Sequence, residues 1–98
     1  MSAVATARVP TEKASRYLQQ LCKHFAHKLP VTFDEHAGSI SFSIGECALA
    51  ADDDALTITA TAPAEADMDQ LKDVIVRHLV RFAFREELQV EWQPTDVS

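Results

Sequence analysis

The middle of the chain reads Ser39-Ile40-Ser41-Phe42-Ser43-Ile44, and every second side chain in this stretch is apolar. Because successive side chains of a β-strand point to opposite faces, the alternation predicts a strand with one buried face. Residues 31–34 and 56–61 alternate in the same way, with threonine on the second face of each. The sequence therefore predicts a sheet that is apolar on one face and lined by short polar side chains on the other.

Further strand patterns lie at both ends of the chain and after the central stretch. Residues 3–9 alternate small apolar side chains with polar ones, and residues 89–93 place Trp92 inward. Gly45 interrupts the central pattern, which resumes at residues 47–50. Since glycine inside a strand is typical of a bulge, a single strand kinked at Gly45 is predicted here.

Two segments have the apolar period of amphipathic helices. The first covers residues 11–28, with Leu18 at the centre of its apolar side. The second covers about residues 63–85, and its central apolar side chains are Met68, Leu71, Ile75, Leu79 and Phe82. Val76 and Val80 lie outside that stripe, so the second helix is predicted to be the more buried of the two.

The predicted order of elements is β-α-β-β-β-α-β. Strands with one apolar face and two amphipathic helices are typical of an α+β two-layer sandwich, in which both helices cover one face of a largely antiparallel sheet. A length of 98 residues fits one domain, and we expect its ordered core at about residues 3–94.

Composition and charge exclude several classes of function. The net charge of −6 argues against nucleic-acid binding, because phosphate contacts need a basic surface. No apolar run approaches the ~20 residues needed to cross a bilayer, and the N-terminal segment lacks the pattern of a secretory signal. Two cysteines do not make a disulfide framework. We therefore predict a cytoplasmic protein that binds neither nucleic acid nor membranes.

The chain resembles the small bacterial family called domain of unknown function 2218 in four segments, kept in the same order over about residues 5–94. They are Tyr17-Leu-Gln-Gln-Leu-Cys-Lys-His-Phe-Ala-His-Lys28, Phe33-Asp34-Glu35, Asp53-Asp54-Ala55-Leu56 and His78-Leu-Val-Arg-Phe-Ala-Phe-Arg-Glu86. Phe25 departs from the tryptophan expected there. The family has no established activity. The resemblance implies a context of iron acquisition, because some relatives are fused to, or encoded beside, flavin-dependent siderophore-interacting reductases. Such a reductase is the expected partner.

Histidines supply one candidate site. His24 and His27 lie one turn apart on the first predicted helix and could hold one metal ion. Cys22 lies on the other side of that helix, so the run Cys-x-His-x-x-His is not one site. A functional metal site would need a third ligand, such as His36 or a carboxylate. The alternative is that both histidines are surface residues without a ligand.

Arginines supply a second candidate site. Arg77, Arg81 and Arg85 are four residues apart and form an arginine stripe beside the apolar face of the second helix. Guanidinium groups suit carboxylates and phosphates, so the stripe could bind an anionic ligand or an acidic segment of a partner. The alternative is internal pairing, of Arg77 with Asp73 four residues before it and of Arg85 with the nearby Glu86 and Glu87.

Little in the sequence indicates catalysis. Cys22 and Cys47 are both predicted to point inward as buried thiols, and His78 is predicted to be a hydrogen-bonded residue at the edge of the core. No nucleophile–base pair, phosphate-binding glycine loop or calcium loop is recognisable. We therefore predict no catalytic residue and no cofactor, and an enzyme ranks last among the functions considered.

The polar sheet face bears on association. Its predicted members are short side chains: Thr32, Ser39, Ser41, Ser43, Ala48, Ala50, Thr57, Thr59 and Thr61. Such a face is either solvated or packed against a second sheet, and a homodimer is the association that we favour. The function favoured by the sequence is a non-enzymatic accessory or interaction domain linked to iron–siderophore utilisation. The alternative is a protein that binds a metal ion or an anionic siderophore.

Overall fold

The computed structural model describes residues 3–83 and 88–94. Within them it has six strands: β1 Ala3–Pro10, β2 Val31–Phe33, β3 Ala37–Phe42, β4 Gly45–Ala51, β5 Ala55–Ala62 and β6 Trp92–Pro94. Two helices, α1 Ala14–Ala26 and α2 Glu65–Phe82, complete the order β-α-β-β-β-β-α-β.

The strands form one sheet in the order β2-β3-β4-β5-β1-β6, and all neighbouring strands pair antiparallel. A Cβ at Gly38 would meet Cys22 of α1, and a Cβ at Gly45 would meet Leu71 of α2. The two glycines share a face, because Gly45 pairs with Phe42, which lies an even number of residues from Gly38. Both helices therefore cover one face of the sheet, and the predicted α+β two-layer sandwich is confirmed.

The predicted single strand kinked at Gly45 is wrong. β3 and β4 are separate strands joined by a turn at Ser43 and Ile44, across which Phe42 pairs with Gly45. Gly45 has a φ of 157°, and a side chain there would overlap the carbonyl oxygen of Thr61. The glycine is thus required by its backbone conformation and by the close approach of β5 rather than by a bulge.

The helices are shorter than predicted. α1 begins at Ala14, after Thr11, which is 5% exposed and whose hydroxyl oxygen accepts a 3.1 Å hydrogen bond from the Lys13 N–H. Thr11 therefore fixes the approach of the chain to the helix. α2 ends at Phe82, and the predicted end at Arg85 lies outside the described residues.

The prediction that the second helix is the more buried is also wrong. Five of the 13 residues of α1 are buried, whereas four of the 18 residues of α2 are. Val80 is 50% exposed. α1 lies over β2, β3, β4 and β5, whereas α2 lies over β4, β5 and β1. The sheet therefore covers only part of the wide apolar side of α2. Neither described helix is long and apolar enough to span a bilayer.

Candidate functional site

The C-terminal halves of α1 and α2 meet above the sheet, and aromatic rings fill the junction. Between ring centroids, His24 of α1 lies 4.9 Å from His78 of α2 and 5.6 Å from Phe82. Phe25 lies 4.9 Å from His78 and 5.0 Å from Phe42 of β3. These contacts join the two helices to each other and to the sheet, and they hold the exposed ring of His24 at the surface of the junction.

His78 is half-buried and hydrogen-bonded within its own helix. Its Nδ1 lies 2.7 Å from the carbonyl oxygen of Val74. Since a carbonyl oxygen only accepts, Nδ1 carries the hydrogen of this bond, and Nε2 of the neutral ring is a hydrogen-bond acceptor. The predicted hydrogen bond of His78 is confirmed. His78 also belongs to the surface of the helix junction, which the sequence did not indicate.

Six basic side chains surround the helix junction, and we call them the basic cluster: His24, His27, Lys28, Arg77, His78 and Arg81. Partial loss of hydration lowers the pKa of His24 below its ordinary value of 6.5, and so do the positive charges of four members, which are His78, His27, Lys28 and Arg81. The charges of α1 and α2 are therefore close enough to oppose one another. An anion bound among them would relieve this repulsion.

A groove with a volume of about 470 Å³ is lined by Arg77, His78 and Arg81. The predicted pair of Arg77 with Asp73 is present, with 3.5 Å between Nη2 and Oδ2, but the two side chains are 66% and 69% exposed. Such a pair stabilises a helix only slightly. Within the described part of the chain Arg81 has no carboxylate partner, so its guanidinium fork is open to a ligand.

The two candidate sites predicted from the sequence form one surface. His24 of α1 lies beside His78 of α2, and the charge of Arg81 of α2 acts on His24. Arg85, the third member of the arginine stripe, lies outside the described residues. In residues 3–83 and 88–94 no group of three or more His, Cys, Asp or Glu side chains is placed to hold a metal ion. A metal ion between His24 and His27 stays a prediction.

The thiols of Cys22 and Cys47 are free and buried, with exposures of 0% and 1%. Burial raises the pKa of Cys22 to about 11. Burial, and then the neighbouring Cys22, raise the pKa of Cys47 to about 12. The predicted inward orientation of both thiols is confirmed, and at neutral pH both remain protonated and therefore poor nucleophiles.

The second face of the sheet carries the short side chains predicted for it, except Ser43, which lies in the turn between β3 and β4. One row of the register crosses all six strands and contains Thr32, Ser39, Ala48, Thr59, Thr6 and Gln93. Both described helices lie on the opposite face, and the side chains of this row are exposed or half-buried.

Comparison with known proteins gives the chain a family but no activity. The model of a family described as an uncharacterised protein conserved in bacteria, DUF2218, matches residues 6–93. PA4090 from Pseudomonas aeruginosa, whose structure was solved by NMR, is 36% identical with a TM-score of 0.79, over 94% of this chain and 96% of that one. The de novo designed protein Foldit4 shares the fold alone, at 12% identity and a TM-score of 0.50 over 98% of this chain and 100% of its own. No curated protein matches. The chain therefore belongs to the bacterial family of domain of unknown function 2218.

Proposed function

We propose that this domain is a non-enzymatic interaction module that binds a carboxylate- or phosphate-bearing ligand at the groove. The observation that carries the proposal is the guanidinium of Arg81, which lies beside His24 and His78 and has no carboxylate partner in residues 3–83 and 88–94. Helix C-termini favour cations, which accounts for single basic residues there. It does not account for six basic side chains brought together from two helices in a chain with a net charge of −6.

The chemistry of binding follows from the groups that line the groove. An anion would accept hydrogen bonds from the Arg81 fork and from the protonated ring of His24. Its charge would favour the protonated form of His24, so binding would take up a proton and would become tighter as the pH is lowered. No covalent bond has to form or break.

Size and polarity of the groove favour a small charged group over an apolar ligand. A volume of about 470 Å³ lies within the ~300–1,000 Å³ range of ligand sites, and three basic side chains line it. That volume takes a di- or tricarboxylate, or two adjacent acidic side chains of a protein segment. A free anion and a partner protein are thus two sources of the same chemistry.

The family resemblance extends the proposal to iron–siderophore utilisation in the cytoplasm. Carboxylate siderophores and their ferric complexes are anions of the kind that the groove would take. A flavin-dependent siderophore-interacting reductase is the proposed partner, and the resemblance is the support for it. A metal ion on His24 and His27 is the second candidate, and titration with Zn²⁺, Fe²⁺ and Fe³⁺ against the His24→Ala/His27→Ala variant tests it.

Calorimetric titration with phosphate, citrate, ferric citrate and a synthetic Asp/Glu-rich peptide tests the proposal. Arg81→Glu should weaken binding by about tenfold or more, since a charge-assisted hydrogen bond is lost and a repulsion is gained. Arg16→Glu, an equal charge change on the exposed side of α1, is the matched control and should retain the wild-type affinity.

The four probes separate the sources of the anion. Tight binding of the peptide with weak binding of citrate indicates a partner segment, and preference for ferric citrate over citrate supports the link to iron. Failure of all probes to bind wild type, or equal binding by Arg81→Glu, contradicts the anion site. Co-purification with the reductase tests the partner separately.

A further inference from the structure

The outer face of the three central strands carries two charged side chains among short ones. Its members are the residues of β4, β5 and β1 that point away from the helices: Glu46, Ala48, Ala50, Thr57, Thr59, Thr61, Val4, Thr6 and Arg8. Arg8 and Glu46 are opposite in sign and both exposed, and within the described chain neither forms an ion pair. The face therefore offers one positive and one negative group that form no ion pair among the described residues, although the charge of Arg8 acts on the exposed Asp52.

The register places these two charges symmetrically. Arg8 pairs with Thr57 on one side of β5, and Glu46 pairs with Thr61 on its other side. Thr59 lies midway between those two positions. With strands about 4.8 Å apart and about 3.3 Å per residue, Arg8 and Glu46 each lie roughly 8 Å from Thr59, in opposite directions.

From this arrangement we infer that the outer face is the interface of a homodimer, in which Arg8 of each copy pairs with Glu46 of the other. A two-fold axis that lies between two facing sheets, passes over Thr59 and runs perpendicular to the line from Arg8 to Glu46 brings each arginine over the partner's glutamate. One contact thereby generates the second, as in an isologous interface. Another protein would need its own matching pair of charges, whereas a second copy supplies it by symmetry.

The outer face of the whole six-stranded sheet, of which the three central strands are part, is large enough for such a dimer. Four strands of the sheet have six to eight residues and two have three. At the usual spacings the sheet projects an area of roughly 550 Å² per copy, or about 1,100 Å² for the pair. Specific interfaces begin at about 1,000 Å². Alanine, serine and threonine leave little side-chain bulk between the sheets, so the backbones can approach closely.

Charge reversal and charge exchange test the inference by sedimentation velocity over a range of protein concentrations. Wild type should show a concentration-dependent monomer–dimer equilibrium. Arg8→Glu and Glu46→Arg should each weaken the dimer by about tenfold or more, because like charges then face each other twice. The double variant Arg8→Glu/Glu46→Arg should restore it. Arg16→Glu on α1 is the control for net charge and should dimerise as wild type does.

The double variant also guards against a folding defect. If one single variant fails to fold, the dimerisation of the other single variant can still be compared with that of the double variant. A wild-type monomer at all concentrations overturns the inference, as does a dimer that both reversals leave unchanged. The groove lies on the helix side of the sheet, so loss of the dimer and loss of anion binding are separate results.

Discussion

His24 and His78 belong to different helices, yet their ring centroids lie 4.9 Å apart. This contact places two imidazole rings at one junction, where partial loss of hydration and then the neighbouring cations lower the pKa of His24. It turns two separately predicted features, a histidine pair and an arginine stripe, into one surface.

Stability should fall as the pH is lowered below 6.5, the ordinary pKa of histidine, because the folded chain resists protonation of His24. Its pKa in the folded chain lies below the ordinary value of 6.5, so the unfolded chain binds the proton more readily. The contribution of His24 to the free energy of unfolding is fully present above the pKa that this histidine has in the unfolded chain. It is lost as the pH falls through the pKa that His24 has in the folded chain. Urea unfolding at several pH values measures it.

His24→Gln should reduce this loss of stability, whereas Lys23→Gln, an exposed neighbour that keeps all the histidines, should retain it. Equal pH profiles for wild type and His24→Gln would show that the ring of His24 does not experience the neighbouring charges.

Both thiols should resist modification in the folded protein. Their pKa values of about 11 and about 12 leave almost no thiolate at neutral pH, and both side chains are buried. An aromatic disulfide reagent should label Cys22 and Cys47 only at the rate at which the protein unfolds, and at once in denaturant. Rapid labelling of either thiol under native conditions would rule out the packing described.

Gly38→Ala should destabilise the fold by about 1–3 kcal/mol, the usual cost of overpacking a core. The added Cβ would lie 2.7 Å from the Sγ of Cys22 and 3.2 Å from the Cβ of Phe33. Cys22→Ala removes the Sγ, so the double variant should be more stable than the sum of the two single effects. Additive effects in thermal unfolding would mean that the two residues do not touch.

Two aspartates should make the hairpins sensitive to acid. Oδ1 of Asp52 accepts hydrogen bonds from the Asp54 and Ala55 N–H groups at 2.8 and 2.7 Å, and Asp34 holds the β2–β3 turn in the same way. These bonds lower the pKa of both carboxyls below 3.8. Their contribution to stability is present above 3.8 and is lost as the pH falls through the folded pKa.

Asp34→Asn/Asp52→Asn keeps an acceptor oxygen at each turn but removes the titration. The double variant should therefore lose less stability than wild type on acidification below about pH 4, as followed by circular dichroism. A steeper loss in the variant would contradict the role assigned to the charges.

The alternation of apolar and polar residues predicted the sheet, and the helical period predicted the helix layer. Both patterns are local properties of the side chains on one element. The turn at Ser43 and Ile44 was missed because Ile44 continues the apolar alternation. Neither residue has a positive φ, so the turn is not of the Asn-Gly type that sequence patterns reveal. The exposure of Val80 was missed because it depends on which strands α2 covers.

The basic cluster could be predicted only in parts. Helical geometry gave the separation of Cys22 from His24, and the structure has the first buried and the second exposed. It could not give the contact of His24 with His78, which depends on how α1 and α2 cross. The available signal was that His24 and Arg81 both lie in the last turn of their helices, on elements predicted to share one sheet face.

The pKa of His24, measured by NMR from its ring resonances with and without saturating citrate, tests the anion site most directly. A bound carboxylate beside Arg81 should raise that pKa above its value in the ligand-free protein, with a smaller rise at most in Arg81→Glu. A pKa of His24 that citrate leaves unchanged, in a protein whose rings titrate normally, would contradict the anion site.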